Sequence, residues 1–113
     1  MPKTRVILEL GSGNDLHGSD YTKAALRAVQ DALHHSSVSF IRALNIDKTK
    51  VDVEVTIGVQ RPEQVDLDAI KKSLPLGNVI VRAVKGGLDV ANHEYNDPAT
   101  IASAAIAVRI EIP

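Results

Sequence analysis

Val51-Asp52-Val53-Glu54-Val55-Thr56-Ile57-Gly58-Val59 places Val51, Val53, Val55, Ile57 and Val59 on one side and Asp52, Glu54, Thr56 and Gly58 on the other. That period of two is the mark of a half-buried strand. Each buried Val or Ile contributes about 1.5–3 kcal/mol before chain entropy opposes it. A one-residue slip would turn the whole apolar set into water, so the register is fixed.

Towards the C-terminus, Arg61-Pro62 ends this strand. Asp66 is placed to cap a short helix with Leu67, Ile70 and Leu74 on its inner face, stopped by Pro75 and Gly77. Val79–Val84 forms a third strand, with Val79, Val81 and Ala83 on one face. Lys85-Gly86-Gly87 follows as a turn or bulge, and Ala91–Ala99 as a polar loop. Ile101–Ile112 closes the chain as a long strand with Ala102, Ala104, Ile106, Val108, Ile110 and Ile112 facing in.

Towards the N-terminus, Thr4–Leu10 alternates, with Val6, Leu8 and Leu10 inward and Arg5, Ile7 and Glu9 outward. Gly11–Gly18 breaks the pattern. Ser19 or Asp20 can cap a helix by accepting its free N–H groups. Tyr21, Ala25, Ala28, Val29, Ala32 and Leu33 then recur at helical spacing, and the helix ends near His34–Ser36. Val38–Leu44 suits a short helix better than a strand.

The resulting order is β-α-β-α-β-β in one domain over residues 1–113. The expected fold class is α/β, an α+β sandwich with a four-stranded mixed sheet and two helices on one face. Helical crossovers imply parallel neighbours, and the last two strands can pair antiparallel. The other face would carry Ile7, Ile80, Val84, Ala105 and Ala107 among Arg5, Glu9, Asp52, Glu54, Arg82, Arg109 and Glu111. Two helices cannot cover both faces, so we expect a homo-oligomer interface there, with charges pairing across it.

Composition narrows the function. A formal net charge of −1 argues against nucleic acid, which needs clustered Lys and Arg. The aromatics are only Tyr21, Phe40 and Tyr95, so no base-stacking platform exists. The chain has no cysteine, which excludes disulfide and thiolate chemistry and suits a reducing cytoplasm. The residues from Met1 run into a strand pattern without a signal-peptide apolar region, and no apolar run reaches membrane-spanning length. The expected setting is cytoplasmic, without membrane contact.

The chemistry concentrates in Gly11-Ser12-Gly13-Asn14-Asp15-Leu16-His17-Gly18, between a strand and a helix, where α/β proteins place ligands. The dinucleotide fingerprint fails because Leu16 stands where glycine is needed, and no Gly-Lys-Ser/Thr follows to make a P-loop. Three glycines allow backbone N–H groups to turn towards a ligand, so Gly11, Gly13 and Gly18 are candidate ligand-binding residues. Asp15 and His17 are the candidate catalytic pair. A carboxylate beside an imidazole can hold a divalent metal, orient a water or act as an acid–base pair. The competing structural reading has Asp15 capping a turn and His17 bonded to backbone.

Lys85, Gly86 and Gly87 are further ligand-binding candidates, a lysine with bare backbone for an anion; the competing reading is a glycine bulge. His34, His35 and His93 read as surface residues, the last in a polar loop with Asn96 and Asp97. Ser103 is a small polar residue on a strand.

The G-S-G-N-D-L-H-G stretch followed by S-D-Y-T-K-A-A-L-R-A-V resembles a small family of uncharacterised bacterial and plant proteins. Its hallmark is a G-x-G-x-D-x-H-G motif. The resemblance extends over the V-x-V-x-V-x-I-G-V strand, Arg61-Pro62, Gly86-Gly87 and the Ala-rich last strand. It implies that Gly11, Gly13, Asp15, His17 and Gly18 act together. More distantly, the D-x-H is similar to the zinc-binding motif of trimeric methylerythritol cyclodiphosphate synthases, whose third ligand has no counterpart here. The element order and last strand resemble trimeric enamine/imine deaminases and single repeats of cyanuric acid hydrolases and barbiturases. These resemblances imply a trimer with active sites between subunits; in the cyclic-amide hydrolases, which use Ser–Lys pairs, Ser103 and Lys85 would stand in.

Beside a purely structural oligomer, two functional expectations stay open. One is an oligomeric hydrolase or lyase acting on a small polar molecule (a cyclic amide, an imine or a phosphate-bearing compound), with His17 as acid/base and Asp15 orienting it or binding metal. The other is a non-catalytic small-ligand or anion-binding module.

Overall fold

The computed structural model describes residues 2–34, 45–74, 77–91 and 94–112. Within them the order is β1 (Lys3–Asp15), α1 (Tyr21–Leu33), β2 (Asp52–Val59), α2 (Leu67–Lys72), β3 (Asn78–Lys85), β4 (Leu88–Val90) and β5 (Ala99–Glu111). The short helix expected over Val38–Leu44 lies outside the described residues, as do His35 and His93.

β2 keeps its alternation, with Val53, Val55, Ile57 and Val59 all buried. It pairs in parallel with β3 across α2 and antiparallel with β5. β5 also pairs antiparallel with β1, so the sheet order is β1-β5-β2-β3. The expected parallel neighbours are therefore present for β2 and β3 and absent for β1 and β2, which β5 separates. The short side chains of Ala102 and Ala104 suit that central position, because a helix can lie directly over them.

Five strands are present rather than the four expected. β4 pairs with β5 from Leu88↔Ile101 to Val90↔Ala99, beyond the point where β2 stops at Gly58↔Ser103. The turn at Gly86-Gly87 brings it there. Gly87 has φ +64°, and a Cβ on it would stand 2.1 Å from the Ile101 carbonyl oxygen. The last strand spans Ala99–Glu111 rather than Ile101–Ile112, and Ile112 is exposed.

β1 is longer than expected and faces the other way. It runs through Gly11 to Asp15, paired with Ala104 to Thr100. Arg5 opposes Arg109 while Ile7 opposes Val108, so Val6 is the extra residue of a β-bulge. The bulge shifts the alternation by one. Ile7 is therefore in the core, whereas Leu8 and Leu10 are 45% and 63% exposed on the opposite face.

Asp20 caps α1 by accepting the Lys23 N–H, and Asp66 caps α2 by accepting the Ala69 N–H. Tyr21, Ala24, Ala25, Ala28, Val29 and Ala32 bury the inner face of α1. In α2, Ile70 is buried and Leu74 follows it into the core, but Leu67 at the first position is exposed. No described helix is long and apolar enough to cross a membrane.

The face opposite the helices carries Leu8, Leu10, Ile80 and Val84, all exposed, with Ala105 and Ala107. Two pairs of its charges close inside the chain: Arg109 Nε lies 3.0 Å from Glu54 Oε1, and Lys3 Nζ 2.9 Å from Asp52 Oδ1. Asp52 is held below the usual carboxylate range by Lys3 and Asn78.

Candidate functional site

Gly11 and Gly13 lie under α1. A Cβ on Gly11 would stand 2.4 Å from the Ala28 carbonyl oxygen, and one on Gly13 2.3 Å from the Ala28 amide nitrogen. These distances are below any real contact, so the two glycines let helix backbone rest on strand backbone. The expected glycine cradle is thus a helix–strand contact at these positions. The strand pairing that continues to Asp15 holds them there.

Asp15, at the end of β1, is buried at 4% exposure. Its Oδ2 accepts the Asp20 N–H at 2.8 Å. Lys23 Nζ and Arg27 Nη1 approach Oδ1 at 3.7 and 3.9 Å, and Arg27 also donates to the Asn14 carbonyl oxygen at 2.7 Å. Burial of a carboxylate requires such partners. Asp15 therefore closes the segment from the strand to the cap of α1.

His17 projects from that closed segment, and its partner is Asp97 rather than Asp15. Nδ1 lies 2.6 Å from Asp97 Oδ2, while Asp97 Oδ1 accepts the Gly18 N–H at 3.0 Å. Asp97 thus clamps the loop by side chain and backbone together. The His17 contact, with help from Gly18, holds its carboxyl below the ordinary value of about 3.8. The His17 side chain remains 81% exposed. In the sequence Asp97 belongs to a polar loop, and the Asp97-Pro98 step, a rigid bend beside a carboxylate, is the local signal that could single it out.

A second carboxylate sits next door. Asp89 Oδ2 accepts the Tyr21 hydroxyl, and Oδ1 accepts the Thr100 hydroxyl at 2.6 Å. Tyr21 and Thr100 are both buried. Burial, then the Asp89 carboxylate, pushes the Tyr21 phenol above 10, and the positive charge of Arg61 opposes that shift. A cleft of about 450 Å³ opens here, lined by Gly18, Ser19, Tyr21, Arg61, Gln64, Asp89, Ala91 and Pro98. Tyr21, Arg61, Asp89 and Asp97 were not among the expected site residues.

The remaining candidates gather elsewhere. Lys85, Gly86 and Gly87 line a cavity of about 590 Å³ with Gly11, Ser12, Thr56, Ser103 and Asp31. It opens on the uncovered sheet face, so it is a site separate from His17. Asp31 there accepts the Ser12 N–H at 2.9 Å. Ser103 and Lys85 both line this cavity. Among the described residues no group of three or more His, Cys, Asp or Glu could hold a metal. The zinc motif of the cyclodiphosphate synthases therefore does not fit: Asp15 is turned to the helix cap, and His17 to Asp97.

No curated protein matches the chain. A solved structure, described as an FtsZ-like protein of unknown function from Nostoc punctiforme PCC 73102, is similar over 99% of both chains, with 33% identity and a TM-score of 0.84. The family model for a conserved hypothetical protein (Lin0512_fam) matches residues 5–108. With nearly its whole length inside that match, including the loop from Gly11 to Gly18 and the clamp at Asp97, the chain belongs to the Lin0512 family.

Proposed function

We propose that the chain is an acid–base enzyme, a hydrolase or a related lyase, acting on a small polar molecule in the cleft beside His17. The observation that carries this reading is the His17–Asp97 pair: one ring nitrogen is fixed at 2.6 Å and the side chain stays 81% exposed. An ionised carboxylate only accepts hydrogen bonds, so in the neutral ring Nδ1 carries the proton and the lone pair sits on Nε2. Nε2 can then take a proton from water or substrate and return it to a leaving group, while Asp97 stabilises the imidazolium formed between the two steps. The Gly18 N–H keeps Asp97 aimed, and Asp15 keeps the loop closed.

The test is a hydrolysis and elimination screen over cyclic amides, imines and phosphate esters, repeated with His17→Ala. A cognate activity should fall by about a hundredfold or more in the variant. Turnover that survives His17→Ala, or a wild type inert to all three classes, ends this reading.

A second reading, a non-catalytic anion-binding module, is favoured by the cavity on the sheet face. There Lys85 lines one depression with Ser12 and Ser103, and with Asp31, whose carboxylate is engaged by the Ser12 N–H. Phosphate binding lost in Lys85→Met without any turnover would support it. We further propose that a second copy of the chain covers this face, which would close the cavity; Leu8, Leu10, Ile80 and Val84 supply its apolar contacts.

A further inference from the structure

The cleft that Gly18 and Pro98, the chain neighbours of His17 and Asp97, help to line contains a positive charge, Arg61, with no ion-pair partner among the described residues. The nearby carboxylates are already engaged. Both oxygens of Asp89 accept hydroxyls, and both oxygens of Asp97 are taken by His17 and Gly18.

A second observation comes from Ser19. Its Oγ is shut off from solvent and has no hydrogen-bond partner. Ser19 lines the same cleft and holds φ at +48°, the left-handed region that a serine seldom adopts. An orphaned hydroxyl on a strained residue at a cavity wall is the kind of group that a ligand completes.

We infer that this cleft binds a compact anion, a carboxylate or a phosphate, with the Arg61 guanidinium as its charged clamp and the Ser19 hydroxyl, once turned from its sealed position into the cleft, as a neutral donor. A guanidinium presents paired N–H groups that match the two oxygens of either anion. The inference deepens the acid–base reading and rests on it for the reaction: Arg61 and Ser19 would hold the charged end of the substrate while His17 handles its proton. Arg61 and Ser19 are positioning residues in that scheme.

The experiment is a ¹H–¹⁵N NMR titration of the full chain at constant ionic strength. Sodium phosphate and sodium malonate are the probes, with sodium chloride as control. Saturable shifts at Gly18, Ser19 and the Arg61 Nε–H are expected from one or both anions, and which of them saturates identifies the class. Arg61→Gln should weaken binding by about tenfold or more, with Arg61→Lys in between. Arg61→Lys also serves if Arg61→Gln does not fold. Failure of both anions to saturate, equal shifts from chloride, or wild-type binding by the folded Arg61 variants overturns the inference. Anion binding without any His17-dependent turnover would defeat the enzyme reading alone. His17-dependent turnover with a KM untouched by Arg61→Gln would defeat the anion clamp alone.

Discussion

His17 Nδ1 and Asp97 Oδ2 stand 2.6 Å apart although 80 positions separate them in the chain. An acceptor-only carboxylate at Nδ1 fixes the neutral ring in one tautomer. Long-range ¹H–¹⁵N spectra should show His17 protonated at Nδ1 and bare at Nε2. Asp97→Asn should abolish that preference, while His17→Ala should lower stability by no more than about 1 kcal/mol, because the pair it removes is largely exposed. A His17 ring protonated mainly at Nε2 would contradict the geometry.

The same pair sets an acid dependence. Asp97 is depressed below about 3.8 by its His17 and Gly18 contacts. A carboxyl lowered in the folded state contributes stability that is present above its unfolded value and lost as pH falls through the folded one. The stability gap between wild type and Asp97→Asn should therefore narrow in urea melts below about pH 4. Asp47 and Asp52, also depressed, are common to both proteins and cancel in the difference. A gap that widens on acidification would reverse the assignment.

Gly11 and Gly13 separate packing from ligand binding. If they make room for α1, Gly13→Ala and Gly11→Ala should each cost about 1–3 kcal/mol or more, since the clash is with helix backbone that cannot rotate away. Ser12→Ala, between them and exposed, should cost much less. Chemical denaturation of the three variants checks this. Equal stability for all three would return the glycines to the role of a ligand cradle.

Local patterning carried much of this fold. The β2 alternation, the caps at Asp20 and Asp66, and the inner face of α1 each depend on neighbours within a few residues, and those appear where the pattern puts them. The facing of β1 did not, because one inserted residue at Val6 inverts a period-two pattern without changing composition. β4 escaped notice since three residues are too few to show periodicity. In the candidate site, the loop from Asp15 to Gly18 was legible as an interruption rich in glycine. Its partners were not. Asp97, Asp89 and Arg61 reach it through the chain's return along β5, β4 and β2, and no spacing rule encodes a meeting over such separations.

The uncovered sheet face makes the last prediction. Leu10 and Ile80 are 63% and 66% exposed, and two ion pairs on that face, Arg109–Glu54 and Lys3–Asp52, close within the chain. Such a face can bury apolar area against a second copy without breaking those two pairs. Light scattering at micromolar concentration should therefore report a species larger than one chain, and a trimer if the resemblance to the trimeric families holds. Leu10→Glu and Ile80→Glu should shift it to the single-chain mass. Neither residue is in the core, so both variants should keep the wild-type circular dichroism spectrum and melt within about 1 kcal/mol of the separated chain. A wild type that scatters as a single chain would refute assembly through this face. So would variants that stay assembled with both charges in place, since a buried unpaired Glu at an interface would break it.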